Sequence, residues 1–355
     1  MKLKGLLLAG GTGSRLRPLT YTGAKQLIPV ANRPILFYAV DAMVQAGIED
    51  IGVITGETGE EIRAKLGTGE AFGCHFTYIP QAAPLGLAHA VKTARSYLGQ
   101  DPFLMFLGDN LLRSGLKDLV DRFKTGQYAA SILLTEVEDP RQFGVAVVDQ
   151  GRVVQLVEKP AEPPSHWALV GAYCFSPDIH EIVEMLKPSK RGEYEITDAI
   201  QTLIDQHKVV DATFVQGWWK DTGRPQDVIE ANRLMLEDIP THILGHIDAS
   251  SEIVGRVQLG RKSQIQHSTI RGPVVIGDNV IIRDSYIGPY TAIGDGVTIE
   301  ETELENTVIL PESHISHVPE RIDQSLIGRA AVVQGRSQRP RAVRLVLGDQ
   351  SRVDL

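Results

Sequence analysis

The sequence predicts an α/β chain in two parts: a mostly parallel sheet with helices on both faces, followed by a parallel β-helix. Three observations carry this. Short apolar runs alternate with amphipathic stretches through the first two-thirds of the chain. The first run, residues 5–9 (Gly-Leu-Leu-Leu-Ala), enters a glycine turn, Gly10-Gly11-Thr12-Gly13. Beyond roughly residue 250, isoleucine, leucine and valine recur every six residues, the sign of a coil whose short strands stack their inward side chains.

Taken in order, residues 5–9 read as a buried strand. Residues 34–47 carry Leu36, Ala39, Val40, Met43 and Val44 at helical spacing, with Gly47 as the stop. Residues 51–55 read as a strand and 60–66 as a helix. Strand 76–79, helix 87–98 and strand 103–107 repeat the alternation, and 153–157 is a further strand. Strand and helix in turn imply a parallel sheet covered on both faces. Ligands in such sheets lie beyond the carboxyl ends of the strands. The glycine turn and Gly108-Asp109-Asn110 both fall on that edge.

In the last third, Ile253, Leu259 and Ile265 share the six-residue step, as do Ile270, Ile276 and Ile282. Val275, Ile281, Ile287, Ile293 and Ile299 form another set, and Ile309, Ile315 and Ile327 keep multiples of the step. The slips of phase between sets are expected at corner loops. The boundary is placed at 240/241, giving domains 1–240 and 241–355 with 236–247 as the linker. Residues 336–355 open polar and basic, and 342–347 read as one more strand.

Length and composition bound the function. A chain of 355 residues, 43% hydrophobic, has ample core for about two domains. A formal net charge of −8 gives no bulk attraction to nucleic acid, so local basic residues must handle any phosphate. Cys74 and Cys174 are far apart and lack metal-ligand spacing, which fits a reducing, cytoplasmic setting. There is no signal-peptide pattern, and no apolar stretch approaches the roughly 20 residues of a membrane span. The expected partners therefore include neither nucleic acid nor membrane.

The glycine turn is suited to an anion. Glycines let consecutive backbone N–H groups approach phosphate oxygens, and Arg15 adds a planar guanidinium. Two familiar loops are excluded. A Walker loop needs glycine where Arg15 stands, and the dinucleotide fingerprint needs it where Leu16 stands. Lys25 is a second candidate phosphate contact, if the chain folds back over the same edge. The carboxamides of Gln26 and Gln81 offer a donor and an acceptor side by side, as a base edge requires. Gly86 opens a helix whose first N–H groups are available to a ligand. Asp109 and Asp221 are acids in turns, and Mg²⁺ typically takes one or two carboxylates together with phosphate oxygens. Each would also serve as a turn-capping carboxylate. Glu158-Lys159-Pro160 places an acid for hydroxyls beside a base for a phosphate. Glu193 to Asp198 reads as an acidic helix start.

These motifs occur in a telling order: Leu8-Ala-Gly-Gly-Thr-Gly-Ser-Arg-Leu16, Lys25-Gln-Leu-Ile-Pro-Val30, Gln81, Pro84-Leu-Gly-Leu-Ala-His-Ala90, Leu107-Gly-Asp-Asn110, Phe143-Gly-Val145, Glu158-Lys-Pro160, Gly192-Glu-Tyr-Glu-Ile-Thr-Asp198 and Lys220-Asp-Thr-Gly223. The series resembles the sugar-1-phosphate nucleotidyltransferases, in a long form with an added C-terminal left-handed β-helix, and it covers nearly the whole chain. The resemblance implies a Rossmann-like catalytic domain, and Lys25-Gln26 resembles the family's thymidylyl branch. It implies Mg²⁺ as cofactor, dTTP and glucose 1-phosphate as substrates, and a homo-oligomer. By the same resemblance Gly10, Gly11, Thr12, Gly13, Arg15 and Lys25 would hold the triphosphate, and Gln26, Gln81 and Gly86 would read thymine. Asp109 and Asp221 would hold the metal. Lys159 would bind the sugar phosphate, while Glu158, Asn110, Gly144 and the Val170 backbone would orient the sugar. The sugar phosphate is already an anionic nucleophile, so alignment and charge neutralisation suffice. Phe143 stands where many members carry tyrosine, which removes one hydroxyl near the sugar. An acyltransferase role for the β-helix would need a catalytic histidine, for which His314 and His317 are the local candidates.

Overall fold

The computed structural model describes residues 2–335; the strand expected at 342–347 lies outside them. The chain divides into two compact units. Among the described residues the first comprises 2–12, 23–27 and 35–221, the second 13–22, 28–34 and 222–335.

The first unit is built on a nine-stranded sheet in the order His75–Pro80, Asp50–Thr55, Lys4–Ala9, Phe103–Leu107, Trp167–Phe175, Ala130–Glu136, Val210–Phe214, Arg152–Glu158, Gly144–Asp149. The first four strands are parallel neighbours. Beyond them the sheet is mixed, because Trp167–Phe175 runs antiparallel to both of its long neighbours. Alternate side chains feed two cores, as a sheet covered on both faces requires. Leu6 and Met105 join one core, with Ala88 and Val91 of helix Leu87–Thr93 and Ile200 of helix Ile196–Asp205. Leu7, Leu104 and Phe106 join the other, with Leu36, Val40 and Met43 of helix Ile35–Gln45. The continuous apolar runs in the sequence follow from this double burial. The helix expected at 87–98 is interrupted at Ala94 and resumes as Arg95–Leu98.

In the second unit three parallel sheets form a three-sided β-helix. Each inward column pairs residues one coil apart: Ile253, Ile270, Ile287 and Leu304 on one side, Leu259, Ile276 and Ile293 on the next, Ile265, Ile282 and Ile299 on the third. A step of six moves the chain from one side to the next, and the step from Ile265 to Ile270 is five, which is the phase slip. Val275 departs from the expected pattern. It stands one residue before the inward Ile276 and packs outside the coil with Leu236, Ile239 and Ala292. Backbone amides of one coil bond hydroxyls of the last: Ser285 N–H to Ser268 Oγ at 3.1 Å and Thr302 N–H to Ser285 Oγ at 3.2 Å.

The units differ from the division at 240. Helix Pro225–Leu236 belongs with the β-helix, as do residues 28–34. Buried Asn232 accepts the Ala31 N–H at 2.8 Å and donates to the Tyr290 carbonyl at 2.9 Å, and Asn32 donates to the Ile293 carbonyl at 2.6 Å. The first coil begins at His242–Ile243, so the linker is shorter than 236–247. Cys74 and Cys174 are both free thiols. Among the described residues no helix is long and apolar enough to cross a membrane.

Candidate active site

The site of the first unit gathers where the parallel strands end. Gly10 follows Lys4–Ala9 directly, and Gly56 follows Asp50–Thr55. A Cβ on Gly56 would lie 2.7 Å from the Gly10 carbonyl, so the two backbones approach as only glycine permits. A Cβ on Gly11 would lie 3.1 Å from Lys25 Cε and 3.5 Å from Gln26 Nε2. One on Gly10 would meet Gln81 Oε1 at 3.5 Å. The glycine turn is therefore flanked by Lys25 and both glutamines. Gln26 is 1% exposed, and its Oε1 is a buried acceptor with no protein partner.

Gln81 is held by His89. Its amide nitrogen lies 2.8 Å from His89 Nδ1, and burial, then Lys92, lowers the pKa of that imidazole and favours the neutral ring. Gly86 opens helix Leu87–Thr93 at φ +105°, and a Cβ there would fall 2.5 Å from the Tyr194 carbonyl. Tyr194 donates its N–H to the Leu85 carbonyl at 2.8 Å and accepts from Ala88 N–H at 3.1 Å. His89 and Tyr194 were not singled out from the sequence; both lie inside quoted motifs, but as neighbours of the residues chosen.

Asp109 stands just past Phe103–Leu107, in a turn pinned by Gly108 N–H to the Leu8 carbonyl at 2.9 Å. Its carboxylate pairs with the Lys25 ammonium and accepts from Asn110 Nδ2 at 3.0 Å. Burial alone would raise its pKa, but Lys25 and Asn110 outweigh burial and hold the carboxyl below the usual range. Asn110 is buried, and its other amide atom accepts the Trp219 indole N–H at 2.6 Å. Its carboxamide thus braces Asp109 and Trp219. The short strand Trp219–Asp221 pairs antiparallel with Asn110–Leu112, setting Asp221 opposite Asn110. Residues distant in sequence thereby set Asp221 opposite the residue that follows Asp109. Among the described residues no cluster of three or more His, Cys, Asp or Glu could hold a metal. Two carboxylates fit Mg²⁺ shared with substrate phosphates and would not suit an all-protein cage.

A third cluster forms around Glu158. Gly144 is its ladder partner, and a Cβ on Gly144 would meet Thr197 Cγ2 at 2.6 Å and Glu158 Oε2 at 3.3 Å. Glu158 accepts from Thr197 Oγ1 at 3.1 Å and from Arg191 at 2.9 Å, and Arg191 also reaches Glu193 at 3.1 Å. Lys159, exposed and at φ +41°, donates its N–H to the Phe143 carbonyl at 3.0 Å. The Phe143 ring meets Trp219 edge-on at 5.4 Å. Val170 lies where the register of Trp167–Phe175 against Ala130–Glu136 shifts, and Gly171 beside it has φ +57°. Such an irregularity releases backbone groups from the ladder. The sequence does not single out Arg191 or Thr197, because the acidic stretch at 193–198 is also a helix start, with Glu195 at the N-cap.

Gly13 and Arg15 group with the second unit. Gly13, at φ +64°, opens the turn Ser14–Leu16, and its carbonyl accepts the Thr20 hydroxyl at 2.7 Å. Arg15 is exposed. His317, one of the two acyl-transfer candidates, sits exposed at a corner with Nδ1 3.1 Å from Glu301.

The family model for nucleotidyl transferases matches residues 4–238. The chain belongs to the nucleotidyl transferase family. It is 50% identical over 355 residues to a Streptomyces antibioticus glucose-1-phosphate thymidylyltransferase, covering 99% of each chain. It is 49% identical to a Haloferax volcanii low-salt glycan biosynthesis nucleotidyltransferase, covering 99% of this chain and all of that one. A solved Bacillus anthracis structure, named for glucose-1-phosphate thymidylyltransferase and holding sucrose, aligns with TM-score 0.63 at 36% identity. It covers 68% of this chain and 97% of its own. Family membership makes this chain a nucleotidyl-transferring enzyme.

Proposed function

We propose that the protein transfers the thymidylyl group of dTTP to glucose 1-phosphate, giving dTDP-glucose and pyrophosphate. The observation that carries this reading is the meeting of Lys25, Asp109 and the glycine turn at the strand ends, with Asp221 on the neighbouring strand. The Streptomyces antibioticus relative, matched over 99% of both chains, supports the choice of nucleotide and sugar.

In this reading Gly10, Gly11 and Thr12 present backbone N–H groups to the triphosphate, and Lys25 neutralises it. Gln81, steadied by His89, and the Gly86 backbone address the base, with Gln26 beside them. Glu158, fixed by Arg191 and Thr197, takes sugar hydroxyls, together with the Gly144 and Val170 backbones. Lys159 holds the sugar phosphate for in-line attack on the α-phosphorus. Mg²⁺ on Asp109 and Asp221 would supply charge neutralisation at the reacting phosphate. Asn110, which donates to Asp109, stands with the groups that orient the sugar. No general base is required, because the attacking oxygen is already anionic.

The test is pyrophosphate release with Mg²⁺, a panel of nucleoside triphosphates and a panel of sugar 1-phosphates. The dTTP and glucose 1-phosphate pair is expected to be turned over best. Silence with every pair would end the enzymatic reading. A strong preference for UTP, or for another sugar given Phe143, would end only the assignment of substrate. The expected homo-oligomer is open to sedimentation analysis.

A further inference from the structure

The pair between Lys25 and Asp109 invites a question about order. Both side chains are largely buried, 13% and 15% exposed, and the Lys25 ammonium sits directly on Asp109 Oδ2. The other carboxylate oxygen is taken by Asn110. The protein's own cation therefore stands at the carboxylate on which Mg²⁺ is expected. An ammonium and a divalent cation cannot share one buried carboxylate oxygen without strong repulsion, because a low-dielectric site screens them little. Lys25 also has somewhere else to go. Its Nζ lies 3.6 Å from where a Cβ on Gly11 would be, next to the turn proposed to hold the triphosphate.

We infer that Lys25 is a cation placeholder on Asp109, released when the phosphates of the nucleotide draw it toward the glycine turn. The metal then enters with, and because of, the nucleotide. Lys25 thus acts twice: it blocks Asp109 to free divalent ions, and after release it contacts phosphate. This role rests on the reading of Asp109 as a metal-binding residue.

Mn²⁺ binding, followed by water-proton relaxation, tests this without reference to turnover. The native protein is expected to bind Mn²⁺ alone weakly and to gain a protein-bound signal when dTTP is added. Lys25→Met and Lys25→Gln are each expected to bind Mn²⁺ alone at least about tenfold more tightly, as removal of one competing buried charge implies. Adding Asp109→Asn to either should remove that gain. A second measurement leaves Lys25 in place: Asp109→Asn should speed reductive methylation of Lys25, read by mass spectrometry, at least severalfold. Lys25 variants that bind Mn²⁺ no better than the native protein, in a protein where Asp109→Asn abolishes the dTTP-dependent signal, would overturn the placeholder and leave the metal site standing. An intact dTTP-dependent signal in Asp109→Asn would overturn the metal site itself.

Discussion

The β-helix and the nine-stranded sheet unit spend similar apolar residues on different problems. In the β-helix each inward side chain stacks on one a single coil away, such as Ile265 on Ile282 and Ile282 on Ile299. Every coil makes nearly the same contacts, so the fold is a sum of local repeats. In the sheet unit the decisive contacts are long-range: Lys25 meets Asp109 across 84 positions and Trp219 meets Asn110 across 109. The contrast teaches that repetition suffices for a scaffold, whereas a site needs unlike residues delivered from several strand ends at once.

The sharpest way to break this contrast is to alter an acid of the site. Asp109→Ala, and separately Asp221→Ala, should lower pyrophosphate release by about 10³-fold, the scale of losing a main electrostatic contact to the transition state. Circular dichroism should stay native. Retention of more than a tenth of native activity by either variant would remove that residue from the site.

The complementary change strikes the scaffold. Ile282, fully buried in the coil, becomes Ala at an expected cost of about 2–5 kcal/mol, measured by urea unfolding. Turnover below the unfolding transition should stay at the native level. Lost turnover with unchanged stability would erase the division of roles.

A smaller effect is expected at Gly86. Alanine there must hold φ +105° and push against the Tyr194 carbonyl, a strain of about 1–3 kcal/mol. Steady-state kinetics should show KM for the nucleotide rising more than kcat falls. An unchanged KM would separate Gly86 from the nucleotide.

The mildest test uses pH and touches the sheet unit alone. His180 is buried against Phe103 with both ring nitrogens lacking partners. Burial, then Arg95, pushes its pKa from 6.5 down to about 4. Its folded value lies below its unfolded one, so the neutral ring favours the fold. That contribution is complete above about pH 6.5 and is lost as pH falls toward 4. His180→Phe should flatten the decline of urea stability over this window. An identical pH profile in the variant would show that the ring is not the titrating group.

Much of this was legible in the residues. The strand at 103–107 matches Phe103–Leu107, since five apolar residues bounded by Pro102 and Gly108 leave little choice. The six-residue step located most inward positions because each coil repeats the same burial, but Val275 and Ile281 each stand one residue before the inward side chain, Ile276 and Ile282. Other features were not legible. Ala94 gives no sign in sequence that it interrupts a helix. Arg191 looks like any surface arginine until Glu158 is brought to it. Nothing in the residues around Asn110 signals that Trp219 and Asp109 occupy both ends of its carboxamide.

Periodicity and glycine placement, read along the chain, settled the α/β alternation, the stacked coil and the glycine turn at a strand end. These follow from burial and backbone sterics acting over a few residues, so neighbours in sequence are enough to specify them. Tertiary structure alone decided which charges meet. Only strand pairing sets Asp221 opposite Asn110, and only chain reversal lays Lys25 on Asp109. The reason is that electrostatic and hydrogen-bond partners act over a few ångströms in space, a distance that sequence separation does not measure.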